Sequence, residues 1–259
     1  MGHIRLGELP RTRKWNQVVA LIKGDGDAAV IAAASLDAAT SGFRLAANDE
    51  GVAWTTWLLT QLPLAARDPK YHQRLTALGV EVSGEPNLLE LVAAFTDAVD
   101  DHMRRAGGRT DLGEMAHMAA VETLTTILDE RTRSLFGTSP ADVRRELAAL
   151  ATTKQFGDLA RNYFASLTRR YLGFFLSREL SNHVGGDRRF ANAAEHTEFN
   201  VALGLHCHQA SRIVEDFAGG WFSKTNWEQG ISPENSKRFT AIALKKLCSE
   251  IEKGGRAAS

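Results

Sequence analysis

The chain has 259 residues, 44% of them hydrophobic and 24% charged, a balance typical of a globular protein and not of a long disordered segment. The 31 basic and 31 acidic side chains give a formal net charge of zero, so the overall charge does not indicate a polyanionic partner. Two cysteines, Cys207 and Cys248, are too few for a disulfide framework and favour a reducing cytoplasm.

The N-terminal stretch MGHIRLGELPRTRKWNQ carries basic residues without the apolar run of a signal peptide. A membrane-spanning helix needs roughly 20 consecutive apolar residues. The most apolar stretch, VVALIKGDGDAAVIAAASLDAA, is interrupted by Lys23, Asp25, Asp27 and Asp37. We therefore expect a soluble, cytoplasmic protein with no membrane partner.

Helix is predicted along almost the whole chain, because alanine and leucine are abundant, only six prolines occur and no run shows β-strand alternation. The fold class expected is all-α, an irregular multi-helix bundle of about 8–10 helices. In chain order the predicted helices cover residues 12–22, 28–47, 50–65, 70–78, 87–106, 111–136, 140–153, 158–183, 197–222 and 233–253.

Several helix boundaries carry specific capping signals. In FGTSPAD, Gly137 is predicted to end one helix, Ser139 to cap the next and Pro140 to occupy its first position. The stretch GISPEN, residues 230–235, repeats this pattern. Asn87 is a further candidate N-cap.

The predicted organisation is one domain with two short appendages. Residues 1–24 are expected to form an N-terminal arm and first helix, and residues 25–253 a single all-helical domain. The glycine pair that opens the C-terminal stretch GGRAAS predicts a flexible tail over residues 254–259.

Two histidine-containing stretches are candidate metal sites. Glu114 and His117 have the Glu-x-x-His spacing of carboxylate-bridged di-iron bundles, but the chain holds no second such pair. His206 and His208 are two residues apart, about 200° around a helix, so they do not face one ion. The sequence therefore predicts no metal and no other cofactor.

Basic residues are concentrated between residues 141 and 189, where nine basic side chains stand against five acidic ones. One interpretation is a nucleic-acid-binding surface for RNA or DNA, and the other is a set of solvated helix faces. The candidate nucleic-acid-binding residues are Arg144, Arg145, Lys154, Arg161, Arg169 and Arg170.

The stretch SRELSNHVGG, residues 177–186, contains candidate catalytic residues. Arg178, Glu179 and His183 resemble the Arg-polar-x-x-x-His motif of HEPN-type helical ribonucleases, with Glu179 where that family usually has Asn, Asp or His. The resemblance implies a dimer that cleaves RNA without metal. Histidine would move a proton from the 2′-hydroxyl, while arginine would hold the scissile phosphate.

The same stretch also fits an ordinary helix end. Glu179 and His183 are spaced as an i,i+4 pair, a histidine in the last turn suits the helix dipole, and Gly185 would end the helix. The sequence contains no other recognisable catalytic motif: it has neither a phosphate-binding loop nor a Gly-x-Ser-x-Gly elbow.

Because no complete catalytic motif is present, the favoured function is a non-catalytic helical interaction or adaptor subunit of a cytoplasmic assembly, binding a protein partner or self-associating. Any exposed subset of the aromatic side chains would form its docking patch. The ribonuclease and nucleic-acid-binding functions are the alternatives. The aromatic candidates are Trp54, Trp57, Phe217, Trp221, Phe222 and Trp227.

Overall fold

A computed structural model describes residues 11–24, 26–132 and 139–257, and it confirms the all-α, multi-helix class. The described residues form helices and no β-strand, apart from one isolated bridge between Val184 and Phe190. In chain order the helices are α1 (Arg13–Lys23), α2 (Ala28–Ala38), α3 (Thr40–Ala46), α4 (Glu50–Arg67), α5 (Tyr71–Ala77), α6 (Leu88–Arg105), α7 (Asp111–Thr132), α8 (Pro140–Ala149), α9 (Thr153–Ser181), α10 (Ala193–Ala210), α11 (Arg212–Glu228) and α12 (Pro233–Ala257).

Predicted caps fix several of these helix starts. Ser139 accepts a hydrogen bond from the Asp142 backbone, and the Asp142 carboxylate accepts one from the Ser139 backbone in return. Asn87 and Glu90 form the same reciprocal box at the start of α6. The predicted helix end at Gly137 lies outside the described residues.

Two predicted helices are each divided in the structure. The helix expected over residues 28–47 is broken at Ala39, whose carbonyl accepts a hydrogen bond from the Tyr171 hydroxyl at 2.8 Å. The helix expected over residues 197–222 is divided at Ser211, whose hydroxyl donates back to the Cys207 carbonyl at 2.8 Å. Such back-bonding by serine competes with the helical hydrogen-bond pattern and bends helices.

Five other boundaries move by four to six residues, among them the end of α8, which lies at Ala149 and not at 153, and the end of α11, which lies at Glu228 and not at 222. Helix α9 begins at Thr153, five residues earlier than predicted, because Thr152 caps it by accepting from the Gln155 backbone. Helix α10 begins four residues early, after the cap Asn192. Helix α12 continues through Ala257, so residues 254–257 of the predicted tail are helical in the structure.

Helix α9 is the central element of the core. Its 29 residues pack against α2, α7, α10 and α11, so side chains around most of its circumference are buried. Tyr163 and Phe164 are among the largest fully buried side chains, and the Tyr163 hydroxyl lies 3.0 Å from the Thr56 hydroxyl of α4. This bond satisfies the polar end of an otherwise apolar contact.

The first helix belongs to the same core. Trp15, Val18 and Ile22 on α1 are buried in the hydrophobic cluster that continues through α12. The guanidinium group of Arg189 donates to the carbonyls of Ile22 and Gly26, at 3.2 and 2.7 Å, and so joins the C-terminal end of α1 to the loop before α10. Of the predicted arm, residues 13–23 therefore form a helix docked on the bundle.

Among the described helices, none is both long enough and apolar enough to cross a membrane.

Candidate functional site

The residues that resemble a ribonuclease motif lie at the C-terminal end of α9. Arg178 and Glu179 are in its last turn, and His183 follows two residues after the helix ends. The Nε2 atom of His183 lies 3.0 Å from Oε1 of Glu179, which is the predicted i,i+4 pair. The His183 side chain is 15% exposed, whereas Arg178 is exposed to solvent.

The chain closes into a tight loop immediately after this pair. Gly185 donates its backbone N–H to the Phe190 carbonyl, and Phe190 donates to the His183 carbonyl, at 2.8 and 3.0 Å. Gly185 has a φ of +88° and Gly186 a φ of +64°, values that favour glycine. This arrangement is that of a short loop that follows the helix end, and the ribonuclease function stays a prediction.

Most of the predicted nucleic-acid-binding residues are paired with carboxylates of the same chain. Arg144 lies 2.7 Å from Glu85, donates to two backbone carbonyls and stacks over the Tyr71 ring at 4.9 Å. Arg145 lies 2.7 Å from Asp142.

Three other arginines, all on α9, also form ion pairs with carboxylates of the same chain. Arg161 lies 2.8 Å from Glu215, and Arg169 and Arg170 converge on Glu122 at 2.8 and 2.6 Å. The sixth candidate, Lys154, is exposed. These carboxylates offset much of the positive charge that would attract phosphate, and nucleic-acid binding stays a prediction.

The Glu122 cluster gives a pH-dependent prediction. Burial raises the pKa of Glu122, but the hydrogen bond from Ser166 and the charges of Arg169 and Arg170 outweigh it, so the net pKa lies below the ordinary value. A depressed carboxyl pKa stabilises the fold above the unfolded-state pKa, and this contribution is lost as the pH falls through the folded-state pKa.

We therefore expect Glu122→Gln to lower the free energy of unfolding by about 1 kcal/mol near neutral pH, a small value because the side chain is 40% exposed. The difference from the wild type should shrink in acid. Urea unfolding at about pH 7 and about pH 3 measures both. A difference that stays constant between the two conditions would contradict this role.

The outward face of α10 exposes large apolar side chains. Val201 and Leu205, one helical turn apart, are 65% and 55% exposed, and Ala202 beside them is also exposed. The opposite face of the same helix is buried through Phe199 and Leu203. Between residues 199 and 205, α10 therefore carries large apolar side chains on its buried side and on its solvent side, a pattern typical of a helix that is covered on both sides.

Charge is missing from the same stretch. Residues 199–211 include no Asp, Glu, Lys or Arg, although they form the greater part of a surface helix. We call the exposed surface formed by Val201, Ala202 and Leu205 the α10 face. The predicted helix over residues 197–222 did not by itself indicate which side chains would face solvent. In the structure Cys207 is buried, and His206 is half-buried.

One of the predicted aromatic candidates is strongly exposed. Trp227, in the last turn of α11, is 90% exposed. Trp54 and Trp57 are half-buried and pack on each other with ring centroids 4.4 Å apart, and Phe222 is buried. Trp227 is thus a second apolar surface feature, separate in sequence from the α10 face.

The buried cysteine, Cys207, is not placed as a nucleophile by its surroundings. Burial raises the pKa of the Cys207 thiol to about 12, so the thiol stays protonated near neutral pH. Cys248 is half-buried on α12.

No protein-family model, no curated protein and no solved structure matches this chain. Its function is therefore inferred from the arrangement of its own side chains.

Proposed function

We propose that the protein is a non-catalytic helical interaction subunit of a cytoplasmic assembly, and that the α10 face docks another protein. The observation that carries this proposal is the pair of large apolar side chains, Val201 and Leu205, exposed on an uncharged helical stretch. Contiguous exposed apolar surface on a soluble protein marks interaction sites.

The composition of the α10 face favours a protein over a nucleic acid. A nucleic-acid partner would be held mainly by Lys and Arg contacts to phosphate, and residues 199–211 contain neither. An apolar helix face is what an amphipathic helix or groove of another protein covers. The absence of formal charge also means that no charge in this stretch needs a counter-charge on the partner.

The helix that carries the α10 face is anchored in the core. Phe199 and Leu203 anchor α10 in the core, and the guanidinium of Arg189 lies 5.1 Å from the centre of the Phe199 ring. Little conformational entropy is then lost when the exposed side chains are covered, because the helix that presents them is already ordered.

The test replaces both exposed side chains with charge. Because Val201 and Leu205 are already partly buried, covering the rest of both side chains in an interface contributes about 2–4 kcal/mol in total, so Val201→Glu with Leu205→Glu should weaken partner binding by at least about 30-fold. Both positions point to solvent, so the isolated subunit should keep its circular dichroism spectrum and its unfolding midpoint. Affinity capture from cytoplasmic extract, with each captured protein quantified, compares partner binding of the wild type and the double variant. Sedimentation compares their self-association.

The matched control is Leu89→Glu, which charges an apolar side chain that is 79% exposed on α6. Wild type and the Leu89→Glu control should capture the same protein, and the double variant should lose it. The α10 proposal is contradicted if all three proteins behave alike. It is also contradicted if the partner is lost with Trp227→Ala and kept by the double variant, because docking would then use α11.

A further inference from the structure

Helices α6 and α7 bring three metal-ligating side chains together, on elements separate from the α10 face. Asp100 lies on α6, and Glu114 and His117 lie one turn apart on α7. Each offers one donor atom, and the three atoms lie within 4.8 Å of one another. From the sequence, Glu114 and His117 are only half of a metal motif, and the packing of α6 on α7 supplies the third donor.

The three donor atoms share a second property. Asp100 Oδ1, Glu114 Oε2 and His117 Nδ1 are all buried, and none has a hydrogen-bond partner. The His117 side chain is only 8% exposed, and its Nδ1 lies 3.9 Å from Asp100 Oδ1. A buried polar atom without a hydrogen bond costs about 1–3 kcal/mol, so three such atoms that converge on one point favour a bound cation.

We infer that Asp100, Glu114 and His117 form a binding site for a divalent first-row transition metal ion, and specifically for Zn²⁺. Two carboxylate oxygens and one imidazole nitrogen are a donor set that zinc accepts, with water completing a tetrahedral shell. Bonds of about 2.0–2.1 Å place tetrahedral ligand atoms about 3.3 Å apart, so the 3.9 Å separation of the His117 and Asp100 atoms needs only a small side-chain rotation.

The outer contacts of His117 suit this role. Its Nε2 lies 3.2 Å from Oγ1 of Thr96, which is one turn before Asp100 on α6. Coordination through Nδ1 requires the imidazole proton on Nε2, from where it donates to the Thr96 hydroxyl. Metal-ligating histidines are typically oriented by a second hydrogen bond of this kind.

Arg109, in the loop between the two helices, is the competing cation. Its guanidinium pairs with Oδ2 of Asp100 and lies 3.7 Å from Oε2 of Glu114. Oδ1 of Asp100 therefore remains available to a metal ion, whereas Arg109 and the metal ion would compete for Oε2 of Glu114. Arg109 is 50% exposed and can turn outward into solvent, and its removal should make zinc binding tighter.

The experiment titrates the full chain, first stripped of metal, with ZnCl₂ by isothermal titration calorimetry. We expect one zinc ion per chain in the wild type, with a dissociation constant in the micromolar range. Asp100→Asn, Glu114→Gln and His117→Ala should each weaken binding by at least about tenfold, as loss of a ligand does. Arg109→Gln should tighten binding by about tenfold, because a neighbouring positive charge is removed.

The matched control is His183→Ala, which removes the histidine of another His–Glu pair and should leave zinc binding unchanged. Circular dichroism checks that each ligand variant folds, and the exposed Arg109→Gln variant tests the site even if one of them does not. The inference is overturned if zinc binding is the same in Asp100→Asn and Glu114→Gln as in the wild type. It is equally overturned if Arg109→Gln binds zinc no more tightly.

Discussion

Replacing Gly219 with alanine is expected to destabilise the protein by about 3 kcal/mol, because helices α9 and α11 meet there through their backbones. A Cβ atom added at Gly219 would overlap the carbonyl oxygen of Thr153 and lie 2.8 Å from the carbonyl carbon. A backbone carbonyl cannot rotate aside as a flexible side chain can, so the two helices must separate. Gly157 makes a similar approach, since a Cβ atom added there would lie 3.1 Å from the Glu215 carbonyl oxygen.

The neighbouring glycine provides the control. Gly220 lies in the same helix, and apart from its chain neighbours and the backbone of its own helix turn, no atom of the described residues comes within 4 Å of a Cβ placed there. Gly220→Ala should stabilise the protein by about 0.5–1 kcal/mol through helix propensity alone. Urea unfolding of both variants measures the contrast. Equal free energies of unfolding for the two variants would show that α9 and α11 do not approach as closely as described.

Replacing Phe164 with alanine is expected to cost about 3–5 kcal/mol of unfolding free energy. The ring is fully buried near the middle of α9, with edge-on contacts to Tyr163 and Phe239 at centroid distances of 5.0 and 6.0 Å. Truncation removes these contacts and leaves a cavity that the surrounding helices fill only in part.

Phe174 is the control for this prediction because it lies on the same helix but is only half-buried. Phe174→Ala should cost about 1 kcal/mol, since much of the ring is already in water. Thermal unfolding followed by circular dichroism would rank the two variants. If Phe174→Ala lowered the stability as much as Phe164→Ala, then α9 would not bury the side that carries Phe164 more deeply than the side that carries Phe174.

Local features of the fold could be predicted from the sequence, because they depend on neighbouring residues. The Ser139 and Asn87 caps and the pairing of Glu179 with His183 each involve residues three or four apart. The break at Ser211 could not be predicted, because the same bond from a hydroxyl to the carbonyl four residues earlier also occurs inside an unbroken helix, as at Thr168 of α9.

The features that bear on function depend on contacts distant in sequence. Glu85 and Arg144 are 59 residues apart, so a basic segment in the sequence becomes a set of ion pairs in the structure. Asp100 joins Glu114 and His117 only through the packing of α6 on α7. The sequence offers one signal for the α10 face, the lack of charged residues over residues 199–211. Which side chains of that stretch face solvent is decided by tertiary packing.

Site-specific photo-cross-linking tests the proposed function most directly. A benzoylphenylalanine side chain placed at Leu205 should, on irradiation in cytoplasmic extract, form a covalent adduct of defined mass with one partner protein. The same group placed at Leu89, which is exposed on α6, should form none of that adduct. An adduct specific to position 205 is the result that an interaction subunit docking through α10 predicts. No adduct at position 205, or the same adducts from both positions, would contradict it.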